Sequence, residues 1–310
     1  MSRRCINVLL SVALLFGAGC QMSPAHRIQR AHEALYRKDP QRALKEYRLA
    51  LDVLDQDRSP GANVLRAQAL RGSADLYYLE LKQIQEARRV YQELIRECPE
   101  APETLEARIN LADILRVYHH DVRGAIGELT AALARNPPQG AELTYEVAKL
   151  YFELGDYAQC GLEAEKLADK FQTSPYVDDA LFLAAQALGM REGMHPEASK
   201  AYHALLERFP ESELAPHALF ELGKLKAEQG DNDAAITLWV AALKTHPDPT
   251  LVQQSIARVR RRITNTTPGG LGKEAAFAGD KKVASRPTSK RTSVEAAGGT
   301  AEEAARDNGD

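Results

Sequence analysis

The sequence predicts an all-α fold built from repeated pairs of short helices, and three observations support this prediction. Residues 208–249 contain two helical stretches separated by a turn at Gly230 and Asp231, where glycine ends one helix and aspartate begins the next. The small residues of this unit recur along the chain at intervals of roughly 35 to 44 residues. Aromatic residues make up 6% of the chain and charged residues 27%, which suits a helical array better than a β-sandwich or barrel.

The spacing of small, aromatic and proline residues defines the repeated units. In the last unit Gly223 lets the two helices cross closely, Ala235 fills the matching small site, and Trp239 wedges between the helices. The corresponding small residues of the second helices are Ala43, Ala87, Ala125, Cys160, Ala198 and Ala235. This pattern resembles the tetratricopeptide repeat (TPR), which implies a TPR superhelix of about six helix–turn–helix repeats with a C-terminal capping helix, together over residues 28–263.

Two further segments follow the last unit. Residues 249–263 predict an amphipathic helix that caps the array, because an end repeat otherwise exposes its apolar face. The apolar side of this helix is formed by Leu251, Ile256, Val259 and Ile263. Residues 264–310 are rich in Gly, Ala, Thr and Ser, and such a stretch cannot bury enough apolar surface to offset its ordering entropy. We therefore predict a disordered C-terminal tail.

The N-terminal residues predict export and lipidation. Residues 1–19 combine the basic pair Arg3 and Arg4, an apolar run at residues 6–16, and small residues directly before Cys20, which is the layout of a bacterial secretory signal. The apolar run is shorter than the roughly 20 residues that a spanning helix requires. The small residues before the cysteine resemble a lipoprotein signal that is cut before Cys20, whose thiol and new amine are then acylated.

Residues 20–27 would then be the lipidated cysteine and a linker to the repeats. The residue after the cysteine is Gln21 rather than an aspartate. In the lipoprotein families that this segment resembles, the absence of aspartate at that position favours sorting to the outer membrane. The expected location is the bacterial cell envelope, with the chain anchored to the outer membrane and facing the periplasm. The alternative is ordinary cleavage near Cys20, which would leave a soluble periplasmic protein.

Junctions between the later units resemble those of a narrower group of TPR proteins. The last unit is preceded by RFPES at residues 208–212, and the fifth unit is preceded by KF at residues 170–171. These junctions look like those of the TPR lipoprotein subunit of the β-barrel assembly machinery and of the periplasmic TPR protein of the Tol system. Both relatives bind proteins and are not enzymes, so the resemblance implies a scaffold.

Motifs for catalysis, cofactor binding and metal binding are absent from the sequence. There is no phosphate loop, no GxSxG and no HExxH motif, and the net charge of −3 gives no general attraction to nucleic acid. His119 and His120 lie in a predicted turn without an evident third ligand, so we interpret them as solvated. Cys98 and Cys160 belong to non-adjacent repeats, and whether they pair stays open. The sequence predicts no enzyme, no cofactor and no small-molecule substrate.

The candidate binding residues lie on the first helix of each unit, because that helix lines the concave face of a TPR superhelix. They are Arg71, Tyr78, Ile109, Arg116, Tyr145, Lys149, Phe152, Phe220 and Lys224. Mixed aromatic and cationic side chains suit an extended peptide that carries apolar and acidic groups. The alternative for each residue is half-buried packing or solvated surface.

Two hypotheses for function follow from these observations. One is an adaptor for the assembly of outer-membrane proteins, which binds envelope proteins or peptides while lipid holds it at the membrane. The other is a scaffold that positions cell-wall or polysaccharide-export enzymes.

Overall fold

The computed structural model of the chain describes residues 22–57 and 59–266, and over these residues it confirms the all-α prediction. They form helices α1 (Pro24–Tyr36), α2 (Pro40–Leu54), α3 (Pro60–Asp75), α4 (Ile84–Glu97), α5 (Glu103–His119), α6 (Val122–Leu133), α7 (Gly140–Glu153), α8 (Tyr157–Lys170), α9 (Val177–Gly189), α10 (His195–Arg208), α11 (Ala215–Glu228), α12 (Asn232–Ala242) and α13 (Pro249–Thr266). The predicted signal, the Cys20 site and residues 267–310 of the predicted tail lie outside the described residues.

The first twelve helices form six consecutive pairs, as predicted. Within each pair the two helices pack together, and the second helix of each pair packs against the first helix of the next. First helices of neighbouring pairs also touch, because α1 contacts α3, α3 contacts α5, and α7 contacts α9. None of the helices among the described residues is long and apolar enough to span a membrane.

The same two-residue motif forms the turn between the two helices in four of the pairs. A residue with left-handed backbone ends the first helix, and an aspartate follows it and accepts a hydrogen bond from a backbone N–H in the first turn of the second helix. The residue pairs are Lys38–Asp39, His120–Asp121, Gly155–Asp156 and Gly230–Asp231. His120, with φ of 53°, therefore ends α5. In the described part of the chain no group of His, Cys, Asp or Glu side chains could hold a metal ion.

The small sites predicted for the second helices are buried in the structure. Ala43, Ala87, Cys160, Ala198 and Ala235 are fully buried, and Ala125 is 1% exposed. Tyr47, Tyr91, Tyr202 and Trp239 follow four residues after a small site, and each is buried. These residues let the paired helices approach closely while a large ring fills the space between them.

The apolar core runs as a series of clusters along the array. A first cluster extends from α1 to α7, and three further clusters continue it to α13. The last cluster joins Trp239 to Val252, Ile256 and Val259 of α13, which confirms that this helix caps the array. Leu251 was predicted on the apolar stripe but is 40% exposed, because Val252 holds that place on the helix.

The interval between the small sites Ala43 and Ala87 of the first two units is the longest between consecutive small sites, and it contains two features that the repeat pattern does not predict. Leu76–Glu80 form a π-helix that continues α3, with the Leu81 N–H bonded to the Leu76 carbonyl oxygen at 2.9 Å. A π-turn inserts one extra residue into a helix and rotates the residues that follow it.

The second feature is a buried arginine beneath the loop that joins α2 and α3. Arg66 is 3% exposed and donates hydrogen bonds to the carbonyl oxygens of Leu54 and Asp57. It also donates to Asn63 Oδ1 at 2.6 Å. The guanidinium thus adds hydrogen bonds to backbone carbonyls at the C-terminal end of α2, where the Leu54 carbonyl oxygen also accepts one from the Asp57 N–H at 3.1 Å.

Candidate partner-binding face

We call the surface formed by the first helices of the pairs, together with α13, the inner face. Four clefts open on it. The N-terminal cleft, of about 540 Å³, is lined by His32, Leu35, Tyr47, Gln68, Arg71, Gly72, Asp75, Leu76, Leu79, Glu80 and Glu103. The central cleft, of about 400 Å³, is lined by Ile109, Asn110, Ala112, Asp113, Arg116, Ala125, Leu129, Glu142, Leu143, Glu146 and Leu150.

The other two clefts lie towards the C-terminal end of the array. The α9–α11 cleft, of about 500 Å³, is lined by Phe152, Gln186, Gly189, Met190, His195, Tyr202, Glu221, Lys224, Leu225 and Glu228. The cap cleft, of about 410 Å³, is lined by Phe220, Lys224, Ala227, Glu228, Trp239, Leu251, Ser255, Arg258, Val259 and Arg262. These volumes fall within the range of roughly 300–1,000 Å³ that is usual for ligand pockets.

Arg71 and Tyr78 tie α3 to α5. Arg71 Nη2 lies 2.9 Å from a carboxylate oxygen of Glu106, and Arg71 Nε lies 3.4 Å from Asp75. The Tyr78 hydroxyl donates a hydrogen bond to Asp113. Burial, followed by this hydrogen bond to a carboxylate, raises the pKa of Tyr78 above its ordinary value. Both candidates therefore already have partners on the neighbouring first helix.

Ile109 and Arg116 both line the central cleft, where carboxylates outnumber cations. Arg116 Nη2 lies 3.9 Å from Asp113 Oδ1, and Glu142 and Glu146 line the same cleft from α7. The sequence prediction picked out the isoleucine and the arginine but missed the three carboxylates. Their position on the first helices, in the same alignment, could have identified them.

Tyr145 and Lys149 lie together on α7. Lys149 Nζ is 2.5 Å from a carboxylate oxygen of Glu146 and 5.2 Å from the centre of the Tyr145 ring. The Tyr145 ring also packs against the Tyr176 ring, with 5.8 Å between their centres. Burial, and after it the charges of Asp179 and other carboxylates, raises the pKa of Tyr145 to about 12, so the phenol is neutral at physiological pH.

Phe152, Phe220 and Lys224 are distributed between the α9–α11 cleft and the cap cleft. Phe152 packs edge-to-face against Tyr157, with ring centres 5.2 Å apart, and lines the α9–α11 cleft. Phe220 is only 8% exposed, so most of its surface belongs to the core, and its edge lines the cap cleft. Lys224 lines both clefts, with its ammonium 2.6 Å from Glu221.

Cys98 and Cys160 are buried in different core clusters. The Cys98 sulfur lies 3.7 Å from the carbonyl oxygen of Asn63. Cys160 is fully buried in α8, and burial raises the pKa of its thiol to about 12. Each cysteine acts as a small packed residue in its own repeat.

Sequence comparisons identify the repeats. Two family models, both described as tetratricopeptide repeat, match residues 110–175 and 182–250 in one case and residues 68–101 in the other. Together these segments make up more than half of the chain. The chain belongs to the tetratricopeptide-repeat family. No curated protein sequence matches it. TPR arrays are in general modules for protein interaction rather than catalysts, and this one is a protein-interaction scaffold.

Solved structures of other proteins share the fold. The C-terminal part of a TPR repeat-containing protein from Cytophaga hutchinsonii is 14% identical over 81% of this chain and 93% of its own, with a TM-score of 0.55. A chain in the structure of Naa15/Naa10 bound to HypK-THB is 15% identical, with a TM-score of 0.52, over 78% of this chain and 34% of its own. At these identities the similarity establishes the fold alone.

Proposed function

We propose that this TPR protein is a scaffold of the bacterial cell envelope that faces the periplasm and is held at the outer membrane by lipid on Cys20. Its inner face binds partner proteins or extended peptides. The observation that supports the binding role is the inner face itself, where four clefts of about 400 to 540 Å³ are lined by charged side chains and, except in the central cleft, by aromatic ones. Such clefts accept the side chains of a partner while the rigid helices hold it in one orientation.

The proposed anchor rests on the sequence of residues 1–21, and the start of the fold is compatible with it. Helix α1 begins at Pro24, with the Ser23 hydroxyl accepting a hydrogen bond from the His26 N–H. Helix α1 thus starts within a few residues of Cys20 along the sequence. A short connection to a lipid keeps the inner face near the membrane and raises its effective concentration there.

Photocrosslinking in cells tests the binding role. A photoreactive amino acid at Phe152 or Lys224, which line the α9–α11 cleft, is expected to capture partner proteins. The matched control is Leu162, which is 56% exposed on the second helix of its pair and lines none of the four clefts. Equal capture of partner proteins at Leu162, or no capture at Phe152 and Lys224, would contradict the proposal that the inner face binds partners. Capture of outer-membrane barrel proteins supports an adaptor for their assembly, whereas capture of cell-wall or export enzymes supports the alternative scaffold.

Fractionation of cells tests the lipid anchor separately. Cys20→Ala is expected to shift the protein from the membrane fraction to the soluble fraction and to abolish labelling by a fatty acid analogue, because the acylated thiol is lost. Cys5→Ala removes a cysteine from the proposed signal and should leave both properties unchanged. Unchanged membrane attachment of the Cys20→Ala protein would show that lipid at this position is not the anchor.

A further inference from the structure

The cap cleft differs from the other clefts in its charge. It is lined by the three cations Lys224, Arg258 and Arg262 and by one carboxylate, that of Glu228. The N-terminal and central clefts are each lined by one arginine and three carboxylates. The inner face therefore changes from an excess of negative charge to an excess of positive charge towards α13, and that end attracts acidic groups.

The carboxylate of Glu228 lines the neighbouring α9–α11 cleft as well as the cap cleft. One of its oxygens lies 3.8 Å from Nδ1 of His195, which lines the neighbouring α9–α11 cleft. Lys224 is paired with Glu221, also a residue of that neighbouring cleft. Arg258 and Arg262 both line the cap cleft, and a guanidinium group can bind a carboxylate through two parallel hydrogen bonds.

The floor of the cap cleft is apolar. The rings of Phe220 and Trp239 lie with their centres 6.2 Å apart. The indole N–H of Trp239 donates to the Phe220 carbonyl oxygen at 3.0 Å, so the polar atom of this ring already has a partner. Leu251 adds an exposed apolar side chain, with 40% of its surface accessible. A large apolar side chain entering the cleft would contact chiefly Leu251, and also the small exposed parts of Phe220 and Trp239, without leaving the indole N–H unpaired.

The spacing along α13 explains why these side chains meet at one cleft. Val252, Ile256 and Val259 form the buried stripe that packs on the last pair of helices. Beside it a second stripe, with helical spacing, consists of Leu251, Ser255, Arg258 and Arg262. Helix α13 thus occupies the place of the first helix of a seventh pair and extends the inner face beyond the sixth.

We propose that the cap cleft binds an acidic segment of a partner protein, in which Asp or Glu residues flank a large apolar side chain. This assignment rests on the proposed scaffold function and specifies its ligand. The apolar side chain packs against Phe220, Trp239 and Leu251, and the flanking carboxylates pair with Arg258 and Arg262. The carboxylates that line the central cleft repel the same segment, so the acidic segment is directed to the C-terminal end of the inner face.

Arg260 and Arg261 provide a matched control on the same helix. Both are exposed, and neither lines the cap cleft. The double variants Arg258→Glu with Arg262→Glu, and Arg260→Glu with Arg261→Glu, change the net charge of α13 equally. A membrane surface or any other general negative field would respond to both variants, whereas an acidic segment in the cleft responds to the first.

The test measures binding of labelled synthetic peptides to the full chain in mild detergent by fluorescence anisotropy. The probe is a short peptide of Glu and Asp residues around two phenylalanines. One reference peptide has lysine at each acidic position, and another has serine at each phenylalanine. The acidic phenylalanine peptide is expected to bind most tightly, and more weakly as salt is added. The cleft variant should weaken its binding by at least about tenfold, and the control variant by less than about twofold.

Leu251→Ser tests the apolar part of the cleft independently and should weaken the same peptide several-fold. Circular dichroism and Trp239 fluorescence establish that each variant is folded. The proposal is wrong if the acidic peptide does not bind, if the lysine peptide binds as well, or if both arginine variants weaken binding equally. It is also wrong if anionic lipid vesicles compete with the peptide and their binding depends on Arg260 and Arg261.

The outcome for the cap cleft can be separated from that for the proposed function. If the cleft variant binds peptide normally while Phe152 still crosslinks partner proteins, the scaffold stands and the ligand assignment fails. If neither Phe152 nor Lys224 captures a partner, the proposed function itself fails.

Discussion

Replacing Gly223 with alanine is expected to lower the free energy of unfolding by about 2 kcal/mol, because the helices of the last pair cross at this residue. An added Cβ would lie 2.3 Å from Nε1 and 2.5 Å from Cδ1 of Trp239. The ring cannot simply move aside, since it is 3% exposed and its N–H is bonded to the Phe220 carbonyl oxygen. The cost of this overlap exceeds the gain of up to about 1 kcal/mol from the higher helix propensity of alanine.

Trp239 reports directly on this prediction, since it is the single tryptophan of the chain. Urea denaturation followed by its fluorescence measures the stability of the last pair and its cap. The control is Gly127→Ala in α6, where an added Cβ meets no atom within 4 Å. Gly127→Ala should raise the free energy of unfolding by about 0.5–1 kcal/mol, a change that circular dichroism follows because α6 lies outside the last pair. Gly223→Ala should instead lower the urea midpoint that Trp239 fluorescence reports. A Gly223→Ala protein with an unchanged midpoint would contradict the close crossing.

Replacing Arg66 with alanine is expected to cost about 3 kcal/mol of stability, because a buried side chain and its hydrogen bonds to the carbonyl oxygens of Leu54 and Asp57 and to Asn63 would be lost. Its Nη2 atom serves the carbonyl oxygens of both Leu54 and Asp57. Arg66→Lys keeps the positive charge but lacks the planar guanidinium that reaches several acceptors at once. This variant should lose about half as much stability as Arg66→Ala.

Arg96 is the matched control for this experiment. Its side chain is 69% exposed and lies 3.5 Å from Glu97, the same carboxylate that Arg66 approaches at 3.7 Å. Arg96→Ala should change the stability by less than about 1 kcal/mol, as exposed ion pairs contribute little. Urea denaturation followed by circular dichroism measures all three variants. Equal effects of Arg66→Ala and Arg96→Ala would show that the buried hydrogen bonds do not stabilise the loop between α2 and α3.

Much of the inner face could be located from the sequence, because the repeat alignment identifies the first helices. Ile109 and Arg116 line one cleft, and Phe152 and Lys224 line another, as expected of residues on those helices. The cap cleft was not predicted. Only the packing of α13 against Trp239 shows that Arg258 and Arg262 border a cleft lined by apolar side chains.

The sequence by itself determined the all-α class, the six helix pairs and the capping helix. Small residues such as Ala235 and turn pairs such as Gly230–Asp231 act through local sterics and hydrogen bonds. Each repeat needs the same residue types at the same positions, so they appear as a repeated pattern in the sequence. Tertiary structure alone decided the direction of individual side chains. The π-helix at Leu76–Glu80 and the burial of Arg66 depend on which neighbouring atoms the packed helices bring within reach. Long-range contacts of that kind form only when the helices pack together, so the local sequence pattern does not predict them.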